Sequence, residues 1–258
     1  MKALLLTAGY ATRLYPLTED RPKTLLPVAD RPMLDWIADK VDEVEAVDEL
    51  HVVANAKFAP VLERWAAARE GRLAPVVHDD GTTSNEDRLG AIGDIAFTVE
   101  RAGLEGDDLL VVAGDNLFEF SLAEYVEWWR RLGEASAIAV RDCGSVELAR
   151  RYSVVALDED DRVVSFVEKP PEPESTLTAI ATYLYHRHHV PLVDAYLAEG
   201  NPPDQPGYLI AWLHTRRPVY GYRLRGAWFD IGDREQLLVA DNWLRARAGL
   251  PVRSEYAL

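Results

Sequence analysis

Four stretches of the chain carry residue types suited to gripping a polyanion and a divalent cation. Residues 7–32 read TAGYATRLYPLTEDRPKTLLPVADRP after an apolar start. Small residues such as Ala8 and Gly9 at a turn leaving a strand let backbone N–H groups approach a phosphate closely, and such turns are where open α/β sheets bind ligands. Arg13 and Lys23 add two kinds of cation, a guanidinium that forks across two phosphate oxygens and an ammonium that acts as a point charge. Gly114-Asp115-Asn116 closes the apolar run 109–113. A carboxylate there projects into the crevice at a strand's C-terminal end, and its oxygens suit Mg²⁺. Val167-Glu168-Lys169-Pro170 sets opposite charges side by side. Neighbours on a strand face opposite ways, so both serve one site only if the strand ends there, and Pro170 supplies an end. In Ala227-Trp228-Phe229-Asp230-Ile231-Gly232-Asp233 an acid interrupts an apolar run, which is costly unless the acid is paired or holds a metal. Asp233 is placed to cap a following helix.

Elements able to position these residues alternate along the chain. Residues 2–7, 50–54, 74–78 and 109–113 read as buried strands, and residues 33–44, 58–70, 86–102 and 124–132 as helices, with Ser121 and Glu124 forming a capping box. That alternation is the pattern of a layered α/β fold with a largely parallel sheet. The second half is β-rich at 136–141, 152–157, 162–168 and 177–185, with an acidic hairpin turn at 158–161. Helices are expected at 190–199 and 208–214, then a strand at 219–224 and a terminal helix at 234–247. No repeat or long linker divides the chain, so one domain over 1–258 is expected, in two halves, 1–133 and 134–258.

Asp and Glu number 43 against 28 Lys and Arg, a formal charge of −15. Such a balance repels nucleic acid and anionic membranes, leaving small molecules as the expected partners. The single Cys143 cannot form an internal disulfide, which suits a reducing cytoplasm. The start, MKALLLTAG, reads as a strand and not as a targeting segment, and no apolar stretch reaches membrane-spanning length. Only five basic residues are lysines, and two of them, Lys23 and Lys169, fall in the motifs above.

The motifs together resemble those of the sugar-1-phosphate nucleotidylyltransferases, GGxGTRLxPLT, PKxLLPV, GD, EKP and WxDxGT. Here they read Ala8-Gly9-Tyr10-Ala11-Thr12-Arg13-Leu14, Pro22-Lys23 through Val28, Gly114-Asp115, Glu168-Lys169-Pro170 and Trp228 through Asp233. The resemblance implies a three-layer α/β/α, Rossmann-like nucleotidyltransferase fold with a mixed, mostly parallel sheet and a β-rich sugar-binding half. It implies Mg²⁺-dependent transfer of a nucleotidyl group from a nucleoside triphosphate to a sugar 1-phosphate; a homo-oligomer is a further expectation. It further implies nucleotide contacts at Ala8, Gly9, Tyr10, Ala11, Thr12, Gly81 and Gly90, with Arg13, Lys23 and Asp115 catalytic. Asp115 and Asp230 would hold Mg²⁺, and Gly114, Glu168, Lys169 and Tyr183 the sugar phosphate.

The default substrates are glucose 1-phosphate with dTTP or UTP. The Gln-x-x-Pro-x-Gly element of thymidylyl and uridylyl members is absent after the third strand, where Leu89-Gly90-Ala91-Ile92-Gly93 looks like an LGTAG element instead. CTP therefore stays open, with a sugar phosphate or a phospho-alcohol as acceptor. A glycosyltransferase of similar fold and a silent regulatory subunit are the alternatives from other classes. A chain this acidic that binds polyanions is expected to concentrate Arg13, Lys23, Lys169 and Mg²⁺ in one positive crevice.

Overall fold

The computed structural model describes residues 1–258. Strand β1 (Lys2–Leu6) leads into two single 3-10 turns, Thr12–Leu14 and Lys23–Leu25, and a small ladder of β2 (Pro27–Val28) with β3 (Arg31–Pro32). Then follow α1 (Met33–Asp42), β4 (Glu49–Ala54), α2 (Ala59–Ala68), β5 (Pro75–Asp79), α3 (Gly90–Ala102), β6 (Leu109–Ala113), β7 (Asn116–Phe118) and α4 (Leu122–Arg130). The second half holds β8 (Ser136–Asp142), α5 (Val146–Ala149), β9 (Ser153–Leu157), β10 (Val163–Val167), β11 (Leu177–Tyr185), α6 (Leu192–Ala198) and α7 (Pro206–Leu213). It ends with β12 (Val219–Arg223), β13 (Trp228–Asp230) and α8 (Arg234–Arg247).

Nine strands form one mixed sheet in the order β10-β9-β11-β6-β1-β4-β5, with β8 pairing β11 and β12. The block β6-β1-β4-β5 is parallel, and β11 meets β6 antiparallel. Alternate side chains of each central strand enter two separate cores. Ala3 and Leu5 pack with α1, α2, α4 and α8, whereas Leu4 packs on the opposite face with α3, α6 and α7. Burial on both faces is why these strands read as unbroken apolar runs, and each fully buried leucine contributes about 1.5–3 kcal/mol. The result is the expected three-layer α/β/α sandwich. No helix is long and apolar enough to cross a membrane.

Two expectations shift. The helix expected from residue 86 begins at Gly90, because Asp87 instead accepts from the Thr83 and Ser84 amides and ties residues 83–87 into a turn of their own. The ribbon of β7 with β13 was not expected, since each strand is only three residues long and its partner is remote in sequence. Asp233 does cap α8, accepting from the Gln236 amide at 2.9 Å.

Candidate active site

The parallel strands end on one cleft of about 470 Å³, within the usual size of small-molecule sites. Its centre is the β7–β13 ribbon. Pairing sets Asn116 opposite Asp230, and the Ile231 amide donates to the Asp115 carbonyl at 3.0 Å, so two carboxylates converge from two distant segments. Asn116 joins them, its Nδ2 donating to Asp115 Oδ1 at 2.8 Å and to Asp230 Oδ1 at 3.4 Å. Trp228 Nε1 donates to Asn116 Oδ1 at 2.7 Å, which fixes the way that amide points.

Lys23 lies beneath the ribbon. Its Nζ donates to Asp115 Oδ2 at 2.5 Å and to the Ile231 carbonyl at 2.9 Å. Burial alone would raise the Asp115 carboxyl, but the Lys23 charge and the hydrogen bonds from Lys23 and Asn116 outweigh it and hold the group below its usual range. Asp230 has no such partner, and burial together with the Asp115 charge pushes it up to about 6. The pair is thus one positive charge short. No group of three or more His, Cys, Asp or Glu side chains forms a metal site. A cation here would take two carboxylates from the protein and its other oxygens from phosphate and water, the ligand set Mg²⁺ favours.

Beside the ribbon, the loop after β1 offers backbone donors. None of the Ala8, Gly9, Tyr10 or Ala11 amides donates within the protein, and all four residues line the cleft. Ala11 holds a left-handed backbone, φ 49°, at the start of the 3-10 turn. Consecutive free amides at such a turn make an anion cradle.

Two glycines here have different physical reasons. A Cβ on Gly9 would meet nothing within 4 Å, whereas one on Gly114 would lie 2.8 Å from Thr7 Cγ2 and 2.9 Å from both the Leu6 carbonyl and Thr24 Cγ2. We therefore expect Gly114→Ala to destabilise by about 1–3 kcal/mol through overpacking. Gly9→Ala should leave the melting temperature unchanged while weakening triphosphate binding about tenfold, because only a ligand needs that space. Differential scanning calorimetry beside substrate titration separates the two; a destabilised Gly9→Ala would contradict the assignment.

At the far side of the cleft, β10 ends at Val167, and Lys169 adopts φ 45°. This left-handed turn, not alternation along a strand, brings both Glu168 and Lys169 to the cleft. Ser153 Oγ donates to Glu168 Oε2 at 2.5 Å, and Lys169 Nζ donates to Gln205 Oε1 at 2.6 Å. Gly207 keeps this corner open, since a Cβ there would overlap Glu168 Oε2. Tyr183 is buried on β11 and lines the same wall.

Several residues singled out from the sequence lie elsewhere. Arg13 is exposed on its 3-10 turn and, with Thr12, Lys23, Gly81 and Gly114, is not part of the cleft wall. Gly81 sits at a turn with φ 78°, its amide donating to Asp79 Oδ1 at 2.8 Å. Gly90 does line the cleft, and a Cβ on it would lie 2.7 Å from the Pro203 carbonyl, so its small size admits the 201–207 loop. The expectation of a positive crevice fails for the protein alone. Asp80, Asp94, Asp115, Glu168, Asp204 and Asp230 line it against Arg88, Arg151 and Lys169. The reason is that Lys23 is spent on Asp115 and Arg13 stands outside.

Sequence reading missed Asn116, Arg151, Ser153 and Gln205, whose roles depend on remote partners. It also missed Asp94, although an acid beside Ile92 and Ile95 on the buried face of α3 was a visible signal.

Among known proteins, the family described as Nucleotidyl transferase matches residues 2–246 of this chain. The bifunctional protein GlmU of Methanocaldococcus jannaschii is 26% identical over 255 residues, covering 99% of this chain and 57% of the relative. The UTP–glucose-1-phosphate uridylyltransferase of a Synechocystis strain is 26% identical over 255 residues, covering 97% of this chain and 63% of the relative. The chain thus spans less than two thirds of the length of these relatives. A solved UDP-glucose pyrophosphorylase complexed with UDP-glucose superposes with a TM-score of 0.81 at 18% identity, covering 95% of this chain and 98% of the other, a likeness of fold. By the extent of the family match, the chain belongs to the nucleotidyl transferases.

Proposed function

We propose that the chain is a single nucleotidyltransferase domain, acting in the cytoplasm, that joins a nucleoside triphosphate to a sugar 1-phosphate and releases pyrophosphate. The observation that carries this reading is the convergence of Asp115, Asp230 and Lys23 beside four free loop amides. A phosphate oxygen of the acceptor attacks the α-phosphorus in line, and the bond from that phosphorus to the bridging oxygen of pyrophosphate breaks. Both reactants are anions, so the protein's task is to hold them together and neutralise charge.

In this scheme the amides of Ala8 to Ala11 cradle the triphosphate, and the exposed Arg13, which stands outside the cleft wall, would turn toward its outer phosphates once they are bound. Lys169, set by Gln205, holds the acceptor phosphate, while Glu168 accepts from sugar hydroxyls. Lys23 keeps Asp115 ionised and in place. Asp115 and Asp230 would hold Mg²⁺, which supplies positive charge to the phosphate oxygens. A glycosyltransferase reading asks for a DxD at the central strand end, where this chain carries Gly114-Asp115-Asn116 with the Asn116 amide already committed to Trp228.

The test is pyrophosphate release from ATP, GTP, CTP, UTP and dTTP, each crossed with several sugar 1-phosphates and phospho-alcohols, with and without Mg²⁺. Release with at least one pair, lost on chelation, is the expected result. No release from any pair would overturn the reading. The default of glucose 1-phosphate with dTTP or UTP and the cytidylyl alternative make different demands on the nucleoside end of the cleft.

A further inference from the structure

The cleft has a second pair of carboxyls away from the ribbon. Asp80 follows the end of β5, and Asp94 lies on α3, 7% exposed; both line the cleft. Asp80 Oδ1 accepts from the Thr82 amide and the Thr82 hydroxyl, both at 2.7 Å. Its Oδ2 and Asp94 Oδ1 are buried with no donor, and the two carboxyls lie close enough for each to act on the other. Neither aspartate forms a salt bridge; the nearby Arg88 pairs with Asp204 at 3.0 Å.

Two carboxyls in contact without a cation hold one proton between them. Burial, then the Asp80 charge, pushes Asp94 up to about 8. A proton held by the pair lets one carboxyl donate to the other, and because both residues line the cleft a carboxyl oxygen remains there as an acceptor.

Sheet order says what part of a ligand reaches it. Glu168 and Lys169 follow β10 at one edge, Asp115 follows β6, the amide loop follows β1, and Asp80 follows β5 at the other edge. With the acceptor phosphate and sugar held at Glu168 and Lys169 on the β10 side and the outer phosphates on the β1 loop, the β5 side of the cleft is left for the nucleoside carried by the α-phosphorus. An uncompensated acid pair repels phosphate there, and accepts N–H donors.

Resting on the nucleotidyl-transfer reading above, we propose that Asp80 and Asp94 read the nucleobase, selecting one that bears an exocyclic amine (cytosine, guanine or adenine) over uracil and thymine. An amine meets that acceptor as a donor. Uracil and thymine offer one N–H flanked by two carbonyls, which the same acceptor repels.

Calorimetric titration of the full chain with CTP, GTP, ATP, UTP and dTTP in the presence of Mg²⁺ tests this without any acceptor sugar. At least one amine-bearing triphosphate should bind about tenfold or more tighter than UTP and dTTP. Asp94→Leu should compress that ratio to about threefold or less. Asp94→Asn should retain it, because the amide Nδ2 can donate to Asp80 and the pair keeps an oxygen as acceptor. UTP or dTTP binding as tightly as the others would overturn the assignment, as would an unchanged ratio in Asp94→Leu. If that variant fails to fold, the wild-type ranking still decides. Failure of every triphosphate to bind would overturn the nucleotidyl-transfer reading and this assignment with it, a result distinct from a changed ranking.

Discussion

Asp115→Asn should lower turnover at saturating substrate by about a thousandfold or more, with the fold retained. Asparagine keeps the shape and one oxygen but removes the charge that Lys23 and the Asp230 side of the ribbon are arranged around. On the proposed mechanism that charge anchors the cation facing the phosphates, and losing it removes about 4 kcal/mol of transition-state stabilisation. The cost to stability is smaller. The Lys23 side chain is 17% exposed and that of Asp115 28%, and Lys23 Nζ keeps the Ile231 carbonyl and can still donate to the new amide oxygen. A loss of about 1–3 kcal/mol is expected. Circular dichroism, thermal melting and a Mg²⁺ titration of kcat separate the two effects. If the Asp115–Lys23 pair only braces the loop, activity will track the folded fraction, and retention of more than about a tenth of kcat would refute the catalytic role.

The sandwich was legible in the sequence because its central strands are buried on both faces, and an apolar run as short as residues 109–113 between helical segments fits a strand covered from both sides. The turn after β1 was legible because glycine and proline spacing sets local backbone geometry, and local geometry needs no partner. The ribbon that builds the carboxylate pair was not. Asn116 and Asp230 meet through three-residue strands whose pairing is decided by the packing of Trp228 and Phe118, not by any local propensity. For the same reason the sequence could name Lys23 as a cation without showing that Asp115 would take it up, which reversed the expected sign of the crevice. The turn at Lys169 is a third case. A lysine at φ 45° is outside what its type favours, so proline at 170 signalled that the strand ended but not how Glu168 and Lys169 would come to face one cleft. Asp94 stands between these cases, since its apolar neighbours on α3 marked it as buried but not as paired.

Replacing Asp94 by Asn should stabilise the protein at neutral pH by about 2–4 kcal/mol. Burial and the Asp80 charge raise the folded-state value to about 8, against roughly 3.9 in an unfolded chain. Below about pH 4 both states hold the proton and the group has no effect. As pH rises from there, the unfolded chain releases its proton while the folded protein keeps it, so the unfolded state binds fewer protons and stability falls with pH. The loss is complete only once pH passes the folded-state value. Three pH units at about 1.4 kcal/mol each set an upper bound near 4 kcal/mol at pH 7, and the proton shared with Asp80 reduces it. Asparagine does not ionise and avoids this loss, so the advantage of the variant should vanish toward pH 4 and level off above pH 8. Urea unfolding of both proteins across pH 4 to 9 measures it. A difference that does not change with pH would show that Asp94 is not held protonated by its surroundings. The expected curve would show an acid pair kept in the cleft at a standing cost in stability, which is intelligible where the pair contacts substrate and not where it serves packing.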